Sequence, residues 1–185
     1  MEGATIDLLA RAFARNPLHI AAFGATVLDK NRAFFRAGLP LFRGRRIAAV
    51  DGSTVVGFMH WVESPACQMP VGQRLRLVPV MVRELGLRST LRVGSWLSAW
   101  ATRDSDERHW HFGPIGVDPN LQGTGVGRSM MEAYCTALDG KSAMGFLETD
   151  KPGNVSFYRK FGFDVVQEVP VIGVTTYFMA RRPAR

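Results

Sequence analysis

The sequence predicts an α/β fold of the α+β kind, one mixed β-sheet with helices on both faces. Three observations predict it. Asp51-Gly52, a two-residue hairpin signal, joins two short apolar runs. A strand-like run at 109–117 passes through a glycine-rich segment into a helical pattern and then a second strand-like run at 143–149. Two further strand-like runs, 163–169 and 174–180, close the chain.

The elements follow in order. Residues 4–15 read as a helix with Ile6, Leu9, Ala10 and Phe13 on one face. A second helix covers 29–37 and stops near Gly38 and Pro40. Arg46 to Val50 is a strand, and Val55 to Val62 its return, in which His60 alternates with Phe58 and Val62 as a core or rim residue. Pro65, Pro70 and Gly72 mark a loop. Residues 73–103 set leucine, valine and arginine at helical spacing, with a break near Gly86. Trp96 and Trp100 fall four apart there, either as an aromatic wall or as the packed face of an amphipathic helix. Helices at 125–138 and 154–161 separate the later strands.

Bulk properties agree with one ordered domain over residues 1–185. Hydrophobic residues make up 46% and charged residues 21%, the balance of a globular chain. No apolar run reaches the ~18 residues of a membrane span, and the first residues lack the pattern of a secretory signal. A cytoplasmic location is expected. The cysteines, Cys67 and Cys135, suggest no disulfide framework, and Cys135 reads as a core filler. The net charge of +7 raises the question of nucleic acid. Its arginines are scattered, among them Arg43, Arg45, Arg46, Arg74, Arg76, Arg181, Arg182 and Arg185. They form no basic run interleaved with aromatics, and no zinc-finger spacing occurs, so neither a nucleic-acid partner nor a metal is expected.

The chemistry concentrates in Leu121-Gln122-Gly123-Thr124-Gly125-Val126-Gly127-Arg128. Glycines between a strand and a helix let a ligand approach the backbone. The free N–H groups of the helix's first turn, at the positive end of its dipole, then hold an anion such as phosphate. The spacing G-x-G-x-G is not the dinucleotide fingerprint, and no lysine completes a P-loop.

Val117-x-Pro119-x-x-Gln122-x-x-Gly125-x-Gly127 resembles the acetyl-CoA loop of the GNAT superfamily of N-acetyltransferases. Phe146-Leu147-Glu148-Thr149, followed by the run from Asn154 through Phe157-Tyr158 to Gly162-Phe163, resembles the family's next strand and short helix. Tyr177 to Pro183 resembles the last strand of a branch that includes puromycin N-acetyltransferases. The resemblance is specific over 109–183, weaker over 1–63 and absent over 64–108. It implies the GNAT fold, with a central sheet that splays open and a strand before the first helix, for which this sequence leaves little room after Met1.

It also implies roles. Residues 109–163 would form the acetyl-CoA-binding core, and 64–108 a helical insertion on the acceptor side. Gly113-Pro114 fits the bulge that opens the sheet, since proline cannot donate to a ladder. Ile115 and Val117 would then meet the acetyl carbonyl and the pantetheine arm. Gln122, Gly123, Thr124, Gly125, Val126, Gly127 and Arg128 would hold the pyrophosphate. Asn154, read as a helix cap, and Phe157 complete the cofactor set, and Tyr158 would protonate the departing thiolate. An apolar setting makes Glu148 a candidate base. His109, His111 and a water chain are the alternatives. The implied function is transfer of acetyl from acetyl-CoA to a primary amine by direct attack, with a small-molecule acceptor, no membrane partner and a homodimer left open. A non-catalytic acyl-CoA-binding sensor of the same fold is the alternative.

Overall fold

Six strands and seven helices fold from residues 1–183, as described by a computed structural model. Residues 184 and 185, including Arg185 of the basic set and the end of the 1–185 domain, lie outside the described residues. The strands are β1 (Arg45–Asp51), β2 (Thr54–Glu63), β3 (His109–Val117), β4 (Met144–Thr149), β5 (Asp164–Val171) and β6 (Val174–Arg181). The helices are α1 (Glu2–Ala12), α2 (Pro17–Phe23), α3 (Val27–Gly38), α4 (Val71–Leu85), α5 (Leu87–Ala101), α6 (Val126–Asp139) and α7 (Pro152–Arg159). The sheet order is β1-β2-β3-β4-β6-β5, and β3–β4 is its parallel pair among antiparallel ones. No strand precedes α1 among the described residues, and β1 is one sheet edge.

The two faces carry separate cores. On one face, Met130, Met131, Tyr134 and Leu138 of α6 and Val155 and Tyr158 of α7 pack with Met59, Trp61, Trp110, Phe112 and Leu147 from the sheet. On the other, α1 and α3 cover Val55 and Phe58 through Ile6, Leu8, Leu9 and Phe35. Strand β2 is therefore buried from Val55 to Trp61 without polar alternation, as a strand covered twice must be. At Gly57 a Cβ would stand 2.9 Å from Val126 and 3.0 Å from Met130. Only glycine lets the first turn of α6 sit this close to the sheet.

Most elements lie where periodicity predicts them. The break between α4 and α5 falls at Gly86, which carries φ +79. The hairpin loop is Gly52-Ser53 rather than Asp51-Gly52, because Asp51 still pairs with Thr54 and Gly52 takes φ +57 at the first loop position. The first helix runs Glu2–Ala12 rather than 4–15. Helix α2 was not expected. Its signal is Asn16-Pro17: the Asn16 side chain accepts from the N–H of His19 at 3.1 Å, and Pro17 occupies the first turn. Trp96 takes the packing alternative, 3% exposed, near-parallel to Phe34 and edge-on to Trp100. Cys135 packs against the α6 core as expected. No helix of the described residues is long and apolar enough to cross a membrane.

A buried polar chain ties α1, α2 and α3. The Asn31 amide donates to the carbonyl of Ala10 at 3.0 Å, so its oxygen is left to accept from His19 Nδ1–H at 2.7 Å. Phe13, Phe23, Phe34, Phe35 and Trp96 surround the rest of the imidazole. A second proton would find no acceptor among those rings. Burial pushes the His19 pKa down to about 4, the Asn31 bond opposes this, and Lys151 adds to it. The unfolded chain then takes up the proton first as pH falls. His19 stabilises the fold fully above its unfolded pKa of 6.5, and that contribution is lost as pH drops toward 4. The loss amounts to about 3 kcal/mol at most. Urea unfolding at about pH 7.5 and about pH 4.5 checks it: His19→Gln should show the smaller acid destabilisation, and equal losses in parent and variant would remove the assignment.

Candidate active site

The site is organised by a parting of strands. β3 and β4 pair only through His109, Trp110 and His111 against Met144, Gly145 and Phe146. Beyond them the two strands diverge. The β2–β3 register shifts between Met59 and Trp61, opposite Phe112–Ile115, so the expected bulge sits at Gly113-Pro114. His60 is buried there, with Nδ1 3.0 Å from the carbonyl of Gly113 and Nε2 against that of Arg43.

After the bulge, backbone direction follows from one bond. The N–H of Asp118 donates to Val56 O at 2.9 Å, so residues 116 and 118 turn their polar groups to β2. By alternation, Ile115 and Val117 turn theirs the other way, into the gap beside β4. Gln122 Nε2 donates to Val117 O at 3.3 Å and holds the loop to the strand end.

The loop is set by glycines in the left-handed region, Gly123 at φ +85 and Gly125 at φ +105. A side chain at either would be strained, although the space around both is open. Thr124 Oγ1 donates to Leu121 O at 2.7 Å. The N–H of Ser129 is bonded to Gly125 O, which leaves the N–H groups of Gly125, Val126, Gly127 and Arg128 without the α-helical partner and aimed out of α6. No side chain caps this end. Phe157 of α7 reaches the same place, its ring 3.8 Å from where a Gly127 Cβ would stand.

On the far side of the gap, Glu148 and Phe146 face the α1–α3 side of the sheet, while Leu147 faces the α6–α7 core. The Glu148 side chain is 2% exposed; Oε2 lies 2.9 Å from His111 Nε2, and Oε1 is buried without a partner. Tyr158 belongs to the opposite core, edge-on to Phe112 at 5.5 Å. Burial pushes its phenol pKa well up, and Asp150 adds to this. Asn154 does not cap α7: the N-cap is Lys151, and Asn154 Nδ2 donates instead to Thr149 Oγ1 at 3.1 Å. Glu148 and Tyr158 thus stand on opposite faces, and a ligand can meet both only through the gap.

Three residues that sequence reasoning left unassigned join the site. Asp150 is buried and accepts from Asn16 Nδ2 at 2.7 Å and from the N–H of Leu18 at 2.6 Å, anchoring α2 to the end of β4. Burial raises its pKa against those two bonds. Cys67, in the loop before α4, and Asp104, after α5, meet His109 and His111 from β3. Asp104 Oδ1 lies 3.0 Å from His109 Nε2 and 3.4 Å from His111 Nδ1, and its Oδ2 lies 3.3 Å from Cys67 Sγ and 2.6 Å from Gln68 Nε2. Burial pushes both imidazoles down, but the nearby acidic groups outweigh it. Asp104, Cys67 and the Glu107 carbonyl hold His109 at about 9, and Glu148 and Asp104 hold His111 well above its ordinary value. Burial likewise raises the Asp104 carboxyl, and the two imidazoles more than reverse it. An open cavity of about 520 Å³ adjoins this cluster, lined in part by Gln68, Asp104, Asp106 and Arg108. Cys67 and Asp104 lie 37 residues apart, with no local signal linking them.

The profile of the acetyltransferase (GNAT) family matches residues 18–163. A Corynebacterium glutamicum structure described as histone acetyltransferase HPA2 and related acetyltransferase is similar at 20% identity and TM-score 0.72, over 97% of this chain and 90% of that one. A Drosophila melanogaster polyamine N-acetyltransferase is similar at 14% identity and TM-score 0.63, over 95% and 91%. The Escherichia coli ribosomal-protein-S18-alanine N-acetyltransferase is similar at 14% identity and TM-score 0.56, over 100% and 88%.

Proposed function

The chain belongs to the acetyltransferase (GNAT) family, and from that premise we propose that it moves an acetyl group from acetyl-CoA to a primary amine of a small molecule. One observation carries the reading. The strands part beside a helix whose first-turn N–H groups are free, so an extended arm with a phosphate end fits along β3. The finer branch, with puromycin N-acetyltransferases, rests on residues 177–183 alone.

Bound there, acetyl-CoA supplies an activated acyl carbonyl and a thiolate leaving group. The chain supplies the rest. Gly123 to Arg128 bind the pyrophosphate through backbone N–H groups and the α6 dipole. Ile115 and Val117 turn backbone groups toward the arm, and such a donor also steadies negative charge on a carbonyl oxygen. Gln122 and Asn154 hold the loop and the turn after β4 in place, and Phe157 packs beside the loop. Glu148 takes the amine proton on Oε1 while His111 holds Oε2. Tyr158, from the other face, gives a proton to the departing sulfur. Asp106 lines the cavity on the Glu148 side of the sheet, where its carboxylate would draw in a cationic amine.

Release of CoA from acetyl-CoA across an amine library tests the function, and release with no amine in the library would overturn it. Gly125→Val demands φ +105 of a β-branched residue and fills the approach to the loop. Calorimetry should show acetyl-CoA binding nearly abolished with the fold intact, whereas parental affinity would remove the loop assignment. Glu148→Gln and Tyr158→Phe should keep acetyl-CoA affinity and lower kcat by ~10²–10⁴-fold each. An unchanged kcat for either, with chemistry rate-limiting, makes that residue a packing group.

A further inference from the structure

The proposed chemistry uses Glu148 and leaves Cys67, Asp104, His109 and the inner nitrogen of His111 without a task. We propose that these four side chains bind one zinc ion. The zinc site stands apart from acetyl transfer, because acetyl-CoA is needed neither to form it nor to detect it.

The tautomers carry the argument. His109 Nδ1 lies 2.8 Å from Glu107 O, an oxygen that can only accept, so Nδ1 bears the proton. His111 Nε2 lies 2.9 Å from the Glu148 carboxylate and bears its proton for the same reason. With the second proton of each ring displaced, His109 Nε2 and His111 Nδ1 are then the free lone pairs. Both lie close to Asp104 Oδ1, also a lone-pair donor, at 3.0 and 3.4 Å. His111 Nδ1 is buried and has no hydrogen-bond partner at all. Electron-rich atoms do not converge this way unless positive charge lies between them. Two extra protons, one on each ring, supply it while no metal is bound, and a metal ion would displace both. One cation serves all four groups.

Size, charge and surroundings fit zinc. The four donor atoms lie within 4.8 Å of one another: Asp104 Oδ1 is 3.0 and 3.4 Å from the two imidazole nitrogens, Cys67 Sγ is 4.0 Å from His109 Nε2, and Sγ is 3.3 Å from the other Asp104 oxygen. A tetrahedron with metal–ligand bonds of about 2.0–2.3 Å has edges of about 3.3–3.8 Å. A thiolate, two imidazoles and a carboxylate form the borderline set that zinc prefers over calcium or magnesium. Thiolate and carboxylate together neutralise Zn²⁺, which suits a site where His109 is wholly buried and Asp104 9% exposed. Binding would release the Cys67 thiol proton. The outer contacts are those of a metal centre: each imidazole donates its other N–H to a carbonyl or carboxylate, and Gln68 holds Asp104.

Four protein ligands close the tetrahedron, which makes the site structural. Cys67 lies just before α4 and Asp104 just after α5, while both histidines belong to β3. The ion would fasten both ends of the helical insertion to the sheet, beside Glu148.

Elemental analysis, with cobalt titration of chelator-treated full-length protein, tests the site. Expected are one zinc per chain, a melting temperature that falls on chelation and returns with zinc, and a thiolate-to-cobalt charge-transfer band with intense visible bands of tetrahedral Co²⁺. Cys67→Ser, at a partly exposed position, should abolish the charge-transfer band, and both it and His109→Ala should weaken zinc by at least ~10-fold. Chelation should also speed proteolysis within residues 64–108. A parent that neither holds zinc nor takes up one equivalent overturns the proposal, even if a variant misfolds. So does cobalt bound without the thiolate band, or parental zinc affinity in Cys67→Ser.

Discussion

Parallel pairing between β3 and β4 lasts for three residues on each strand, and the site depends on where it stops. A fully paired sheet would bury the backbone groups of Ile115 and Val117 in a ladder and seal one face from the other. Pro114 has no N–H to give, and the register shift against β2 absorbs the extra residue and turns β3 away. The gap that results is the one route by which Glu148, under the α1–α3 face, and Tyr158, under the α6–α7 face, can address the same bound molecule. Parting the strands costs hydrogen bonds that an extended ligand along β3 would restore.

The parted strands need support from both sides. Gly57 brings the start of α6 against β2, so the glycine loop is held by sheet contacts as well as by its own turns. On the other face, Asp150 accepts two hydrogen bonds from the start of α2, and the His19–Asn31–Ala10 chain ties that helix to α1 and α3. These are buried polar bonds inside an aromatic cluster, where a missing partner is expensive and the geometry is correspondingly specific. They connect the end of β4 to the N-terminal helices without touching the gap itself.

Charge is handled differently on the two sides of the site. The loop side is neutral backbone, N–H groups and a helix dipole, which attracts an anion without a buried cation. The other side concentrates Asp104, His109, His111 and Glu148 at the start of β3 and the end of β4, with the Asp104 and His109 side chains under 10% exposed. So many ionisable groups tolerate burial only because each faces an opposite charge or a shared one. The helical insertion α4–α5 leaves Val71, Leu75, Leu87 and Leu91 exposed, and its two ends converge on this cluster.

Local patterns decided much of this protein from the sequence alone. Periodicity located the strands and helices from β1 onward, a proline marked the bulge, and alternating glycines marked the turn into α6, because each of these is a property of neighbouring residues. Alternation also put Glu148 with Phe146, and His109 with His111, on shared faces. The tertiary structure decided what joins across the chain. A one-residue shift of the hairpin loop follows from β1–β2 register, and α2 follows from an Asn16-Pro17 start whose helix is too short to show a period. The meeting of Cys67 with Asp104, and of both with two strand histidines, depends on how a two-helix insertion closes back on β3. Side chains 37 residues apart carry no mutual signature until packing fixes the distance between them.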